Sequence, residues 1–140
     1  MQAILPLSLV VLALCSCSDP AAEALAAAEK AQEEQKDQAR EVALAWLRAA
    51  QAGERSKADA LGTEAFRERE KSWERSYSSA LFDGGFQLMS WNTREIARRD
   101  GRVLFDVQAE IQTPEAKKLS KWVRFELILQ GPSWRIDAIE

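Results

Sequence analysis

The chain has 140 residues, 46% of them hydrophobic and 29% charged, with a formal net charge of −3 and no histidine. That length suits one domain able to bury a real core, and the missing histidine excludes Ser-His-Asp and Cys-His catalysis, imidazole metal sites and a histidine pH switch. The two cysteines, Cys15 and Cys17, both stand near the N-terminus, which excludes a disulfide framework and a four-cysteine zinc site.

Residues 1–18, MQAILPLSLVVLALCSCS, carry no charged side chain. The apolar run from Ile4 to Leu14 has the length of a signal-peptide h-region and falls short of the ~18 apolar residues that span a bilayer. No later stretch approaches it, so no transmembrane helix is expected after export. Leu14-Cys15-Ser16-Cys17 resembles the lipobox of bacterial lipoproteins: an aliphatic residue, then a small one directly before a cysteine. The resemblance implies a signal peptide over residues 1–16, cleavage between Ser16 and Cys17, a thioether-linked diacylglycerol on Cys17 and acylation of the new amino group. Two or more acyl chains hold a soluble domain at a membrane stably, where one binds only reversibly. Ser18, rather than aspartate, after Cys17 implies outer-membrane sorting in a Gram-negative host, with the domain facing the periplasm. The expected address is the bacterial cell envelope. The plain alternative is a secretory signal with two incidental cysteines.

Asp19 to Arg40 reads DPAAEALAAAEKAQEEQKDQAR. Asp19-Pro20 is a helix opening, an N-cap followed by proline at the first helical position, and the residues behind it favour helix. Leu25 is the only large apolar side chain there, so such a helix has almost nothing to bury. Residues 17–40 therefore read as a lipidated N-terminus and a partly helical tether, reaching roughly 30 Å from Pro20 to Arg40. Residues 19–40 hold six acids and three bases, which leaves 16 of each in residues 41–140. A neutral domain is a poor electrostatic trap for nucleic acid, so no nucleic-acid partner is expected. Arg94, Arg98, Arg99 and Arg102 cluster, but Glu95 and Asp100 interleave with them, and a solvated hairpin explains them better than a phosphate or headgroup patch.

Residues 41–140 form the expected domain. From Glu41 to Ala52, Val42, Ala43, Trp46, Leu47, Ala49 and Ala50 make one apolar helical face, which Gly53 ends. Ser56-Lys57-Ala58-Asp59 has the spacing of a capping box and opens a short helix. Thr63 is the N-cap of a third helix, whose stripe runs Phe66, Trp73, Tyr77, Ala80 and Leu81 to a stop at Asp83-Gly84-Gly85. The period then changes to two. A strand runs from Phe86 to Ala97, and Arg99-Asp100-Gly101-Arg102 supplies the Asp-Gly of a tight hairpin. Val103, Phe105, Val107, Ala109 and Ile111 share one face of the next strand. After a turn at Thr113-Pro114-Glu115-Ala116, Val123, Phe125, Leu127 and Leu129 oppose Trp122, Arg124, Glu126 and Ile128. Gly131-Pro132-Ser133 leads into a last strand carrying Trp134, Ile136 and Ala138. The layout is α+β: N-terminal helices packed on an antiparallel sheet of about four strands.

Residues 41–140 resemble the NTF2-like (cystatin-like α+β) superfamily, particularly its small bacterial lipoproteins of unknown function. The resemblance is carried by VALAWLRAAQAGERSKA, by RRDGRVLFDVQAEI and by KWVRFELILQGPSWRIDAIE. It implies a curved sheet wrapping a helix into a cone, in some members with a ligand pocket. Members include enzymes, binding modules and assembly domains, so the fold does not choose the function.

An enzyme in such a fold needs ionisable groups on the concave face. The strand faces instead offer Val103, Phe105, Val107, Ile111, Val123, Phe125, Leu127 and Leu129, which implies a filled or apolar cone. No catalytic residue, metal ligand or cofactor is expected. Glu70 falls inside the stripe of Phe66, Trp73 and Tyr77, where a carboxylate can act as an acid or base and Tyr77 can donate to it. Glu70, Trp73 and Tyr77 are the candidate ligand pocket; the plainer expectation puts Glu70 at the stripe's edge, paired with a surface arginine. Trp91 and Trp122, beside Arg94 or Arg124, together with Ile128, are the candidate partner surface.

Three functions follow, in order. The first is a membrane-anchored envelope lipoprotein whose non-catalytic domain binds another envelope protein, or a second copy, through its sheet. The second is a binder of a small apolar or amphipathic ligand in the cone near Glu70. The third is a hydratase- or isomerase-type enzyme using Glu70.

Overall fold

The computed structural model describes residues 19–72 and 76–140. The expected signal sequence and lipobox, with Ser16 and Cys17, and the candidate pocket residue Trp73 lie outside the described residues.

Asp19 accepts the Ala21 N–H at 3.0 Å, and helix α1 runs from there over Pro20–Gln51. The helix expected to open at Glu41 is the C-terminal part of this single element. Alanine and straight-chain residues, with neither glycine nor proline from Ala21 to Gln51, give it nowhere to stop. Residues 19–34 are all exposed, and Ala39 is the first to be buried. Beyond it Ala43, Trp46, Leu47, Ala49 and Ala50 enter the core.

Helix α2 (Arg55–Asp59) is not opened by a capping box. Its N-cap is Glu54, which makes no side-chain cap bond and holds Lys57 at 2.7 Å instead. Thr63 does cap helix α3 (Glu64–Ser72), its Oγ1 accepting the Phe66 N–H at 3.0 Å. The expected single third helix is broken at Ser76, whose backbone is extended and whose hydroxyl caps helix α4 (Tyr77–Phe82) through the Ser79 N–H at 3.0 Å. Serine offers the backbone a hydrogen bond that competes with helix continuation, and here that local bond wins.

Strands β1 (Gln87–Arg99), β2 (Arg102–Gln112), β3 (Lys118–Gln130) and β4 (Ser133–Ile139) form one antiparallel meander in the order β1-β2-β3-β4. Asp100 and Gly101 have φ of 50° and 75°, the two left-handed residues that a two-residue hairpin turn requires. The face under α1 buries Val103, Phe105, Val107, Ala109 and Ile111 of β2, Val123, Phe125 and Leu127 of β3, and Trp134, Ile136 and Ile139 of β4. Leu129, expected on that face, is 48% exposed; it pairs with Trp134 on the rung next to the β3–β4 turn, where the sheet meets solvent. On β4 the register passes from Leu127↔Ile136 to Glu126↔Ala138, so Asp137 is an extra, bulged residue. Ile139 thereby takes the buried place that strict alternation assigns to Ala138.

Trp46 fills the centre, edge-on to Phe125 at 5.4 Å and to Phe82 at 6.3 Å between ring centroids. With Phe66, Phe105, Phe125, Leu127 and Ile136 also fully buried, side chains occupy the space between α1 and the sheet. The free edge of β4 is partly covered. Thr63 N–H donates to the Ile136 carbonyl at 2.8 Å and Ile136 N–H to that of Leu61 at 2.9 Å, which seats α3 beside the strand. Among the described residues no helix is long and apolar enough to cross a membrane.

Candidate functional site

Two places on this frame gather chemistry. The first is where α3 crosses the edge of β4. The bulge frees Asp137 from the strand's alternation, and its Oδ2 takes Arg102 Nη1 at 2.6 Å while Oδ1 takes the Thr63 hydroxyl at 3.0 Å. Arg102 also reaches Glu126 at 3.4 Å, and Arg69 donates to the Asp137 carbonyl. Burial pushes the Asp137 carboxyl up, but the hydrogen bonds from Arg102 and Thr63 and the charges of Arg102 and Arg69 outweigh it and hold the group below the ordinary carboxylate range.

Beside this network lies a cavity of about 290 Å³, bounded by Phe66, Arg69, Glu70, Arg102, Glu126 and Asp137 among others. Glu70 is therefore at a cavity, as the ligand-pocket expectation requires. Its Oε2 is sealed from solvent and has no hydrogen-bond partner, and among the described residues no arginine pairs with it. Tyr77 does not join it. The break at Ser76 puts Tyr77 on α4, half-buried against the core and outside the cavity's wall.

The second place is the sheet face opposite α1, away from the β4 edge that α3 borders. Trp122 is 48% exposed there, and the guanidinium carbon of Arg94 sits 4.6 Å from its ring centroid. Arg124 grips Asp106 through Nε at 2.7 Å and Nη2 at 2.9 Å. The hydrogen bond from Arg124, opposed by burial and helped by the charges of Arg124 and Arg94, holds the Asp106 carboxyl below its usual value. These side chains, with Val123 and Glu140, enclose a shallow cavity of about 310 Å³.

Trp122 and Arg124 thus come together as the partner-surface expectation has them. Ile128 stands on the same face, half-buried, paired with Arg102 and Arg135. Trp91 does not belong to this surface: it pairs with Ala109 and packs, partly buried, against the core. The register of β1 slips between Leu88 and Ser90 and again between Thr93 and Glu95. These bulges change the parity, so that Leu88, Trp91 and Ile96 all face the helix while Arg94 turns out onto Trp122. The Asp106–Arg124 pair was readable from the β2–β3 turn, because that register puts the two residues opposite each other. Asp137 carried no such signal, since a bulge follows no alternation.

The architecture is the NTF2-like α+β fold. Among solved structures the chain is similar to a substituted form of Rd1NTF2_05, with a TM-score of 0.55 and 12% identity over 76% of this chain and 97% of that one. It is also similar to a SEC-C motif containing protein from Rhodopseudomonas palustris, at a TM-score of 0.51 and 11% identity over 66% and 69% of the two chains. At such identities the likeness speaks for the fold alone. In sequence, no family model and no curated protein matches the chain.

Proposed function

We propose that this chain is a lipid-anchored, non-catalytic binding module of a bacterial cell envelope, whose uncovered sheet face docks another envelope protein. The observation that carries the docking is Trp122, a large exposed aromatic with a cation stacked on it, on the part of the sheet face beyond the end of β4. Tryptophan and arginine are the residues that interface anchors favour. The neighbouring charges of Arg124 and Asp106 are already matched, so the surface is ordered before a partner arrives. Around Trp122 the face is polar, which suits a separable partner better than a permanent homodimer with its more apolar interface. The apolar lining of the helix-facing side supports a role without catalysis.

The anchor rests on Leu14-Cys15-Ser16-Cys17 and on the order of segments behind it. An exposed helical stretch over residues 20–34 follows the lipobox, giving a stand-off of about 22 Å before the domain begins. The test places a photo-crosslinking residue at Gln108, which lies opposite Trp122. One discrete adduct is expected in cells, lost in Trp122→Ala and not formed from Glu29 on the exposed helix. No adduct from Gln108, or one that survives Trp122→Ala, overturns the sheet-face reading; an adduct of two copies of the chain replaces the separate partner by a homodimer. A second reading, a small-molecule site, is favoured by the cavity that Glu70 lines.

A further inference from the structure

Among the described residues three buried side-chain polar atoms have no partner: Trp46 Nε1, Trp134 Nε1 and Glu70 Oε2. The two indoles belong to the packed core. Glu70 is different, because it is ionisable and the residue lines an open cavity. A shielded polar side-chain atom left unbonded is uncommon in native structures and calls for an explanation.

We propose that this cavity is a site for a small organic cation, a primary ammonium on a short apolar body, with Glu70 as its anionic partner. The inference rests on the second reading above and is independent of the sheet-face one. The arginines of the cavity are engaged elsewhere: Arg102 with Asp137 and Glu126, and Arg69 with the Asp137 carbonyl. Neither neutralises Glu70. Four carboxylates and two guanidiniums bound the space, so its field favours a cation over an anion. Among the described residues no three such groups converge as metal ligands do, whereas one ammonium needs only one strong acceptor and lesser contacts. Phe66, Ala138 and Ile139 supply an apolar wall for the ligand's body. At about 290 Å³ the space is at the small end of ligand pockets, which suits an amine of a few carbons.

The test titrates n-butylammonium chloride into the full chain in detergent, followed by amide resonances. Saturable shifts are expected at Arg69, Glu70 and Asp137 to Ile139, with none from sodium butyrate. Glu70→Gln keeps the shape, removes the charge and is expected to weaken binding by about tenfold or more. Glu70→Asp retains part of the affinity, which separates loss of charge from loss of fold. Trp122→Ala, the variant that abolishes the sheet-face adduct, leaves the titration unchanged, so the two sites fail separately. Absence of saturable shifts, equal affinity in Glu70→Gln, or shifts confined to the Trp122 face overturns the inference.

Discussion

Arg102 on β2 and Asp137 on β4 meet at 2.6 Å over the intervening strand β3. Neither residue reaches its partner by ordinary cross-strand pairing. The bulge in β4 supplies the reach, and Thr63 closes the contact from the α3 side. One extra residue thus ties together the first helical cap after α2, the edge strand and the start of the long hairpin's second strand.

A pH dependence follows. The folded Asp137 carboxyl lies below its ordinary value, so its contribution is present above an unfolded pKa of about 3.9 and is lost as pH falls through the folded pKa. The Asp137 side chain is 15% exposed but that of Arg102 is 41% exposed, so solvent screens the pair in part. Asp137→Asn is expected to cost about 0.5–1.5 kcal/mol at pH 7, and the gap from the unsubstituted protein is expected to shrink below about pH 4. Urea unfolding at both pH values checks this; a gap that stays constant removes Asp137 as its source.

At the core, Trp46→Ala is expected to cost about 3–5 kcal/mol. Trp46→Phe keeps an aromatic ring against Phe125 and Phe82 and discards the unbonded Nε1. It is expected to cost less than half as much, by chemical denaturation. Equal costs would mean that the ring edges contribute little.

Gly62 is set by space. A Cβ there would lie 2.5 Å from Phe66 Cδ1, and both residues belong to the clamp that seats α3 on β4. Gly62→Ala is expected to destabilise by about 1–3 kcal/mol, and Phe66→Leu in the same chain to recover part of that loss. Thermal melts of the single and double variants test the coupling.

The exposed start of α1 bears on reach and not on folding. Residues 19–34 bury nothing, so their deletion is expected to change the unfolding free energy by no more than about 0.5 kcal/mol. A larger loss would show that this stretch packs on the domain.

For the anchor, Cys17→Ser is expected to move the chain out of the membrane pellet and abolish incorporation of labelled fatty acid. Cys15→Ser is expected to do neither. Retention of both properties by Cys17→Ser would remove the lipobox from the proposal.

Much of the sheet was legible because alternation and turn chemistry are local signals. Asp100-Gly101 marks its own hairpin, and the apolar residues at odd positions of β2, from Val103 to Ile111, mark their own face. What escaped were places where one residue more or less changes everything downstream. The core face holds Trp91 because β1 slips register twice, and it holds Ile139 in place of Ala138 because Asp137 is inserted. The helices erred in opposite directions. Alanine-rich sequence has no stop signal, so α1 runs through the expected start at Glu41. The stripe from Phe66 to Leu81 looks continuous although Ser76 breaks it. Within the candidate site, Glu70 was visible as a polar residue on an apolar stripe. Its neighbours Arg102 and Asp137 were not, since only the folded chain brings residues so distant in sequence to one cavity.

The unbroken length of α1 makes helical phase a property of the whole protein. Each residue inserted into 20–34 turns everything upstream by about 100° relative to the sheet and lengthens the shaft by about 1.5 Å. A single insertion therefore swings the Trp122 face through roughly a quarter-turn about the helix axis. Seven insertions bring it back to within about 20° of its starting bearing, about 10 Å farther out. Whatever holds residue 19 thus sets the compass direction of that face as well as its distance.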